Sequence, residues 1–206
     1  MTLAPLDPAG FAEATGVSRE TLDRLEGYAA LLAKWQKAIN LVAKDSLSDL
    51  WRRHMLDSAA LWPLIPPESR ILVDFGSGAG FPGLVLAIMG VPEVHLVESD
   101  TRKCAFLAEA ARLFAPGAVT VHRGRIEAIA PIAADVVTAR ALADLDTLLS
   151  YATRFLKPEG VCLFLKGRKA EDELTLAGQR WTMSVERFPN PAEPSGLVLR
   201  IKGLHR

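Results

Sequence analysis

The chain has 206 residues, half of them hydrophobic and 23% charged, which is the balance of a folded protein and excludes a disordered one. Lys plus Arg and Asp plus Glu each number 24, so the net charge is zero; a protein coated in positive charge is excluded, a local basic site is not. No apolar run approaches the roughly 20 residues that span a bilayer, and Met1 to Gly10 has neither the basic nor the apolar part of a signal peptide. The two cysteines, Cys104 and Cys162, form no CxxC and read as reduced thiols of a cytoplasmic protein, with no metal site.

Helical spacing comes first in the chain. Leu22, Leu25, Tyr28, Ala29, Leu32 and Trp35 form one stripe after a Ser18 N-cap, interrupted only by Gly27. A second helix is predicted from Leu47 to Leu61, ending before Pro63. Ile65-Pro66-Pro67 cannot continue it, because proline lacks the N–H and restricts its predecessor. The boundary predicted there separates a helical N-terminal appendage, residues 1–66, from a second unit, residues 67–206. That unit alternates. Strands are predicted at Arg70–Phe75, Val94–Glu98, Val119–His122, Asp135–Thr138 and Gly160–Lys166, with helices at Pro82–Met89, Thr101–Phe114 and Leu142–Leu156. Trp181–Phe188 and Leu197–Lys202 read as a closing antiparallel hairpin. The fold class is α/β, a mostly parallel seven-strand sheet with helices on both faces.

The stretch Val73-Asp-Phe-Gly-Ser-Gly-Ala-Gly-Phe-Pro-Gly83 is the most informative. Gly76, Gly78 and Gly80 follow a strand directly and precede a helix. Without a Cβ they permit a tight turn and close approach to a ligand, and the helix N-terminus aims free N–H groups at the same point. This is the carboxyl edge of the first strand, where α/β sheets bind ligands. Gly78, Gly80 and Gly83 also fit the dinucleotide pattern GxGxxG. Asp74 at the strand end makes the series Asp-x-Gly-x-Gly-x-Gly, which resembles motif I of S-adenosylmethionine-dependent methyltransferases, and the long helical segment ahead of it is unlike a simple dehydrogenase. Glu98 ends the second strand, where a carboxylate can accept hydrogen bonds from both hydroxyls of a ribose. Asp100 suits an N-cap for the next helix. In this class the segment after the third strand meets the adenine, so Ile126 is placed to pack on the ring, with the backbone or Glu127 at its polar edge.

The predicted strand ends are basic although the chain is neutral. Arg123 and Arg125 follow the third strand, Arg140 the fourth, and Lys166, Arg168 and Lys169 the fifth. Such clustering suits a polyanion, because Arg and Lys neutralise phosphates. Arg52, Arg53, His54, Lys34 and Lys37 read as solvated helix faces that could extend the footprint. His54 forms no ligand spacing with the other histidines, and no nucleophile set can be made out.

Several phrases together resemble one family, the small-subunit rRNA guanine-N7 methyltransferases (RsmG, also called GidB). They are Ile39-Asn-Leu-Val42, Arg53-His-Met-Leu-Asp-Ser58, Asp74 to Gly83, Arg125-Ile-Glu127, Ala139-Arg-Ala141 and Leu165-Lys-Gly167. The resemblance runs from about residue 20 to the C-terminus. It implies a Rossmann-like class I methyltransferase fold, S-adenosylmethionine as cofactor, and methyl transfer to N7 of the guanine at position 527 of 16S rRNA in the small ribosomal subunit. It also implies that Gly76, Phe81, Ile126, Glu127 and Arg140 hold the cofactor, and that Arg125 and Lys166 lie on the substrate side. A monomer is expected. One departure stands out: the family often has a basic residue just before the last strand, and here that segment is Pro194-Ser-Gly196. Two rival classes are a non-catalytic RNA-binding or ribosome assembly factor and a small-molecule methyltransferase. The basic strand ends argue against a small neutral substrate, and Asp74 with Glu98 against a dead enzyme.

Overall fold

Seven strands form one sheet in the computed structural model of the chain, which describes residues 5–206; residues 1–4, the head of the Met1 to Gly10 stretch, lie outside the described residues. The strands are β1 (Ile71–Phe75), β2 (Glu93–Glu98), β3 (Val119–Arg123), β4 (Ala134–Arg140), β5 (Leu156–Lys166), β6 (Thr182–Pro189) and β7 (Leu197–His205). Their order is β3-β2-β1-β4-β5-β7-β6. The first five are parallel, and β7 runs antiparallel to both β5 and β6. The mostly parallel sheet and its antiparallel end therefore agree with the alternation in the sequence.

Side chains alternate across each strand, and the two faces bury different sets. Leu72, Leu163 and Leu165 face one core together with helices α4 (Gly83–Met89) and α5 (Thr101–Phe114). Val73, Phe75, Cys162 and Phe164 face the other, beneath α6 (Leu145–Phe155) and α7 (Ala170–Ala177). The first core also takes in the N-terminal helices, α1 (Pro8–Thr15) and α2 (Arg19–Trp35), through Phe11, Leu25, Tyr28 and Leu32. No strand precedes Ile71 among the described residues. Ser18 caps α2 by accepting from the Thr21 N–H, as its sequence predicts. Gly27 costs about 1 kcal/mol of helix propensity, and packing accounts for it: a Cβ there would stand 2.5 Å from Phe114 of α5. Trp35 meets Phe106 edge-on at 5.8 Å and donates its indole N–H to Glu109 at 3.1 Å.

Several predicted elements differ from the structure. The helix expected over Leu47–Leu61 is a 3₁₀ turn (Lys44–Asp49), a π-helical turn (Trp51–Leu56) and one α turn, α3 (Asp57–Ala59). Apolar spacing over so few residues cannot separate a π from an α period. The α turn ends at Ala59, ahead of Pro63 as predicted, and Pro63 itself lies in a further 3₁₀ turn, Trp62–Leu64. The helix expected from Pro82 starts one residue later, at Gly83, with Pro82 as its N-cap. The helix expected from Leu142 starts at Leu145, because the Asp144 carboxylate caps it by accepting from the Thr147 N–H. β4 extends to Arg140, and β5 starts at Leu156, with the Pro158 and Gly160 region absorbed by a register shift against β4. The short helices α1 and α7 carry no prediction at all; Asp7 capping Gly10, with Pro8 at the first position, was the available signal for α1.

Candidate functional site

The carboxyl ends of the parallel strands carry two joined chambers. The smaller, about 440 Å³, is lined by Gly76, Gly78, Glu98, Arg125, Ile126, Glu127 and Tyr151, among others. The larger, about 650 Å³, has Arg53, His54, Asp57, Phe81, Lys166 and Asn190 in its wall. Gly76, Gly78, Lys103, Arg140, Ala141 and Ala143 border both.

The glycine loop separates them. Gly76, Gly78 and Gly80 have φ of +64°, +58° and +98°, the left-handed region that favours glycine. At Gly76 a Cβ would stand 2.6 Å from Leu142, and at Gly80 it would stand 2.9 Å from Leu84. At Gly78 nothing lies nearer than the Gly76 carbonyl at 3.8 Å, so this stretch of backbone is left open to a ligand. Glu98 holds the loop from β2: its Oε2 accepts from the Gly78 N–H at 2.9 Å and its Oε1 from the Asp100 N–H at 2.8 Å. Each oxygen keeps a further lone pair for a hydroxyl donor. Asp100 caps α5 through the Arg102 and Lys103 N–H groups.

Asp74 borders neither chamber. It is fully buried, accepting from the Thr138 hydroxyl at 2.8 Å and from the Gly83 N–H at 3.3 Å. Burial pushes its carboxyl up to about 6, against the pull of the Thr138, Ser77 and Gly83 hydrogen bonds and of Arg140. Because the folded value is raised, its contribution to stability is full below the unfolded value and is lost as pH rises through about 6. The shift corresponds to a loss on the order of 3 kcal/mol. Asp74→Asn should remove this dependence, giving a urea midpoint that changes less than wild type between pH 4 and pH 6; parallel titrations check it.

Beyond the third strand, Ile126 is buried and Arg125 and Glu127 are exposed. The Tyr151 hydroxyl donates to Glu127 at 2.5 Å, and this bond is the main cause that holds the carboxyl below its ordinary value. The Arg125 side chain makes no hydrogen bond or ion pair among the described residues, and Arg125 borders the smaller chamber. Arg123, Arg168 and Lys169 are exposed as well.

Arg140 stands at the junction. Its Nη1 donates to Asp57 Oδ2 and to the Arg53 carbonyl, both at 3.1 Å, and the guanidinium lies 5.0 Å from the Phe81 ring centre. The π-helical turn thus reaches the end of β4. Ala141, next in the chain, is the one non-glycine with positive φ among the described residues, at +50°. Such a conformation costs on the order of 1 kcal/mol and persists where the surroundings fix it.

His54 departs from its reading as a solvated helix residue. It is buried and stacked on Phe81 at 4.9 Å. The Ser46 hydroxyl gives its hydrogen to the Ala43 carbonyl, so His54 Nε2 carries the proton and donates to Ser46 at 2.7 Å. Burial, then the Arg140 and Arg53 charges, depresses its pKa to about 3, so the ring is neutral. Phe81 is enclosed between His54 and Arg140 in the wall of the larger chamber.

Lys166 also departs from expectation. It borders the larger chamber, but its side chain is only 8% exposed and its ammonium is taken: Nζ meets Glu173 Oε2 at 2.5 Å and the Ala143 carbonyl at 3.0 Å. Glu173 sits on the unforeseen helix α7, and no local pattern marks the pairing. Lys166→Ala should therefore not leave the fold intact. Removing one member of a buried pair typically costs about 3–5 kcal/mol, and the melting temperature should drop, with partial recovery in Lys166→Ala with Glu173→Gln.

Sequence reasoning missed two residues of the larger chamber. Asp57 was legible only as part of a phrase, and Asn190, whose amide donates to Asp57 at 2.6 Å, carried no signal because the pair is 133 residues apart. Among the described residues no cluster of metal-ligating side chains is present and no helix is long and apolar enough to cross a membrane.

Known proteins resemble this chain closely. The family described as rRNA small subunit methyltransferase G matches residues 21–194. A "Ribosomal RNA small subunit methyltransferase G" of Rhodospirillum centenum is 62% identical over 191 residues, covering 93% of this chain and 88% of the relative. The protein of that name from Paramagnetospirillum magneticum is 58% identical, covering 98% of both chains. A crystal structure of Methanocaldococcus jannaschii TYW2 in complex with AdoMet shares the fold at a TM-score of 0.56 and 17% identity, covering 80% of this chain and 77% of that one.

Proposed function

This chain belongs to the rRNA small subunit methyltransferase G family, and from that premise we propose that it methylates N7 of a guanine in 16S rRNA, position 527, with S-adenosylmethionine as donor. The observation that carries the reading is the pair of joined chambers, one built on the glycine loop and Glu98, the other bordered by basic side chains. In this reading Gly76, Gly78, Glu98, Ile126 and Glu127 hold the cofactor in the smaller chamber, with Arg140 at the junction. Asp74, Gly80 and Gly83 shape the loop from behind. The target guanine enters the larger chamber. Phe81 serves as its wall.

When bound, S-adenosylmethionine supplies a sulfonium methyl group. Guanine N7 carries a lone pair and no proton, so the chain need supply no general base. The neutral His54 fits this, since a depressed pKa and a proton fixed on Nε2 leave it unsuited to moving protons near neutrality. Positive charge develops on the guanine during transfer, so a cation against N7 would oppose the reaction. Arg140 is already engaged by Asp57, the Arg53 carbonyl and the Phe81 ring. Catalysis is then mostly positioning, which can be worth roughly 7–11 kcal/mol.

The basic rim faces the RNA. Arg125→Ala should weaken binding of 16S rRNA fragments regardless of sequence and lower the slope of log K against log salt by about 1. Filter binding at several salt concentrations checks it; an unchanged slope removes Arg125 from the phosphate contacts. For the activity itself, protein, labelled S-adenosylmethionine and either 30S subunits or stripped 16S rRNA should yield N7-methylguanosine by mass spectrometry. Label in neither RNA form would overturn the reading.

A further inference from the structure

Asn190 is buried just past the end of β6, at the turn toward β7, and no step described above uses it. Its amide is oriented by two neighbours. Oδ1 accepts from the Ala192 N–H at 2.9 Å, and Nδ2 donates to Asp57 Oδ1 at 2.6 Å. The reverse orientation would set a carbonyl against a carboxylate and an NH₂ against an N–H, so the network fixes the assignment. The other Asp57 oxygen accepts from Arg140. A chain of contacts thus runs from the β6–β7 turn, through the N-terminal segment, to the end of β4.

An aspartate with one partner turns freely about its last torsion, which is broad and two-fold. A donor on each oxygen fixes the carboxylate plane. We propose that Asn190 is a positioning residue: it clamps the Asp57 carboxylate, and the clamped carboxylate aims the Arg140 guanidinium at the junction of the two chambers. The inference rests on the reading of Arg140 as part of the site. It gives the last hairpin, far from the glycine loop in sequence, a role in transfer. Asn190 need not touch cofactor or guanine for this.

Asn190→Ala removes both side-chain hydrogen bonds. Asn190→Asp keeps the acceptor for Ala192 and loses only the donor to Asp57, against which it sets a like charge. Both variants should raise KM for S-adenosylmethionine and Kd for S-adenosylhomocysteine on the order of tenfold, within the range of couplings between neighbours in one network. A smaller fall in kcat is expected. In an Arg140→Ala background neither should add a further loss of S-adenosylhomocysteine affinity. Urea midpoints of all variants separate loss of fold from loss of aim. Wild-type behaviour of Asn190→Asp beside an impaired Asn190→Ala would assign Asn190 to its own turn and overturn the inference. So would losses that add fully to those of Arg140→Ala. If Arg140→Ala itself binds and turns over normally, the reading of the site fails and takes this inference with it.

Discussion

Gly78→Asp is expected to abolish binding of S-adenosylhomocysteine while leaving the protein folded. Gly78 has φ of +58°, which aspartate tolerates better than most residues. A Cβ there meets nothing closer than 3.8 Å, so the new side chain costs the fold little. It does project a carboxylate into the proposed cofactor site, close to the Glu98 carboxylate that holds the same peptide N–H. Like charge and lost volume together should weaken binding at least 100-fold, about 2.7 kcal/mol. Calorimetric titration reads this directly, and NADH should bind neither protein. A near-normal Kd in the variant would mean that the loop does not cradle the cofactor. Gly83→Ala is the useful contrast. Its Cβ would stand 2.5 Å from Leu96 and 2.7 Å from Asp74 in the core, so the loss there should appear as instability.

Arg140→Ala should lose both cofactor affinity and turnover, and it should lose stability as well. The guanidinium and the Asp57 carboxylate are mostly buried, with side chains 20% and 13% exposed. Truncation leaves the Asp57 Oδ2 atom and the Arg53 carbonyl without this donor. Breaking such a pair costs about 3 kcal/mol or somewhat more. Arg140→Lys should recover only part, since a single ammonium lacks the planar fork and its stacking on Phe81. Fluorescence titration with S-adenosylmethionine, run beside urea unfolding, separates the two losses. Unchanged cofactor affinity with weakened RNA binding would move Arg140 from the cofactor to the RNA.

What the sequence revealed and what it hid divide by range. Signals within a few residues were legible: the Ser18 and Asp100 caps, the glycines at the end of β1, the apolar runs of the parallel strands. The antiparallel hairpin was legible too, from two apolar runs about a proline-rich turn. Hidden were features set by partners far along the chain. The engagement of Lys166 depends on Glu173 of α7, and the restraint of Arg140 on Asp57, 83 residues away. His54 looked like part of a charged helix face, yet the π-helical turn buries it against Phe81. Strand bounds were missed where a bulge let β5 run through Pro158 and Gly160.

The shared core of the N-terminal helices and the sheet has a consequence for how the chain folds as it is made. The N-terminal helices are made before the sheet, so Leu25, Tyr28 and Leu32 lack their partners on α4, α5 and the strands until those have emerged. The Tyr28 hydroxyl reaches its acceptor, the Ala79 carbonyl, 51 residues later in the chain. An amphipathic helix without its partner is marginal in water, and its apolar stripe stays open to chaperones and to other nascent chains meanwhile. Contacts this distant in sequence also slow the search for the native state. Deleting the first helices would then leave the matching face of α4 and α5 bare, and the trimmed protein should aggregate as it is synthesised.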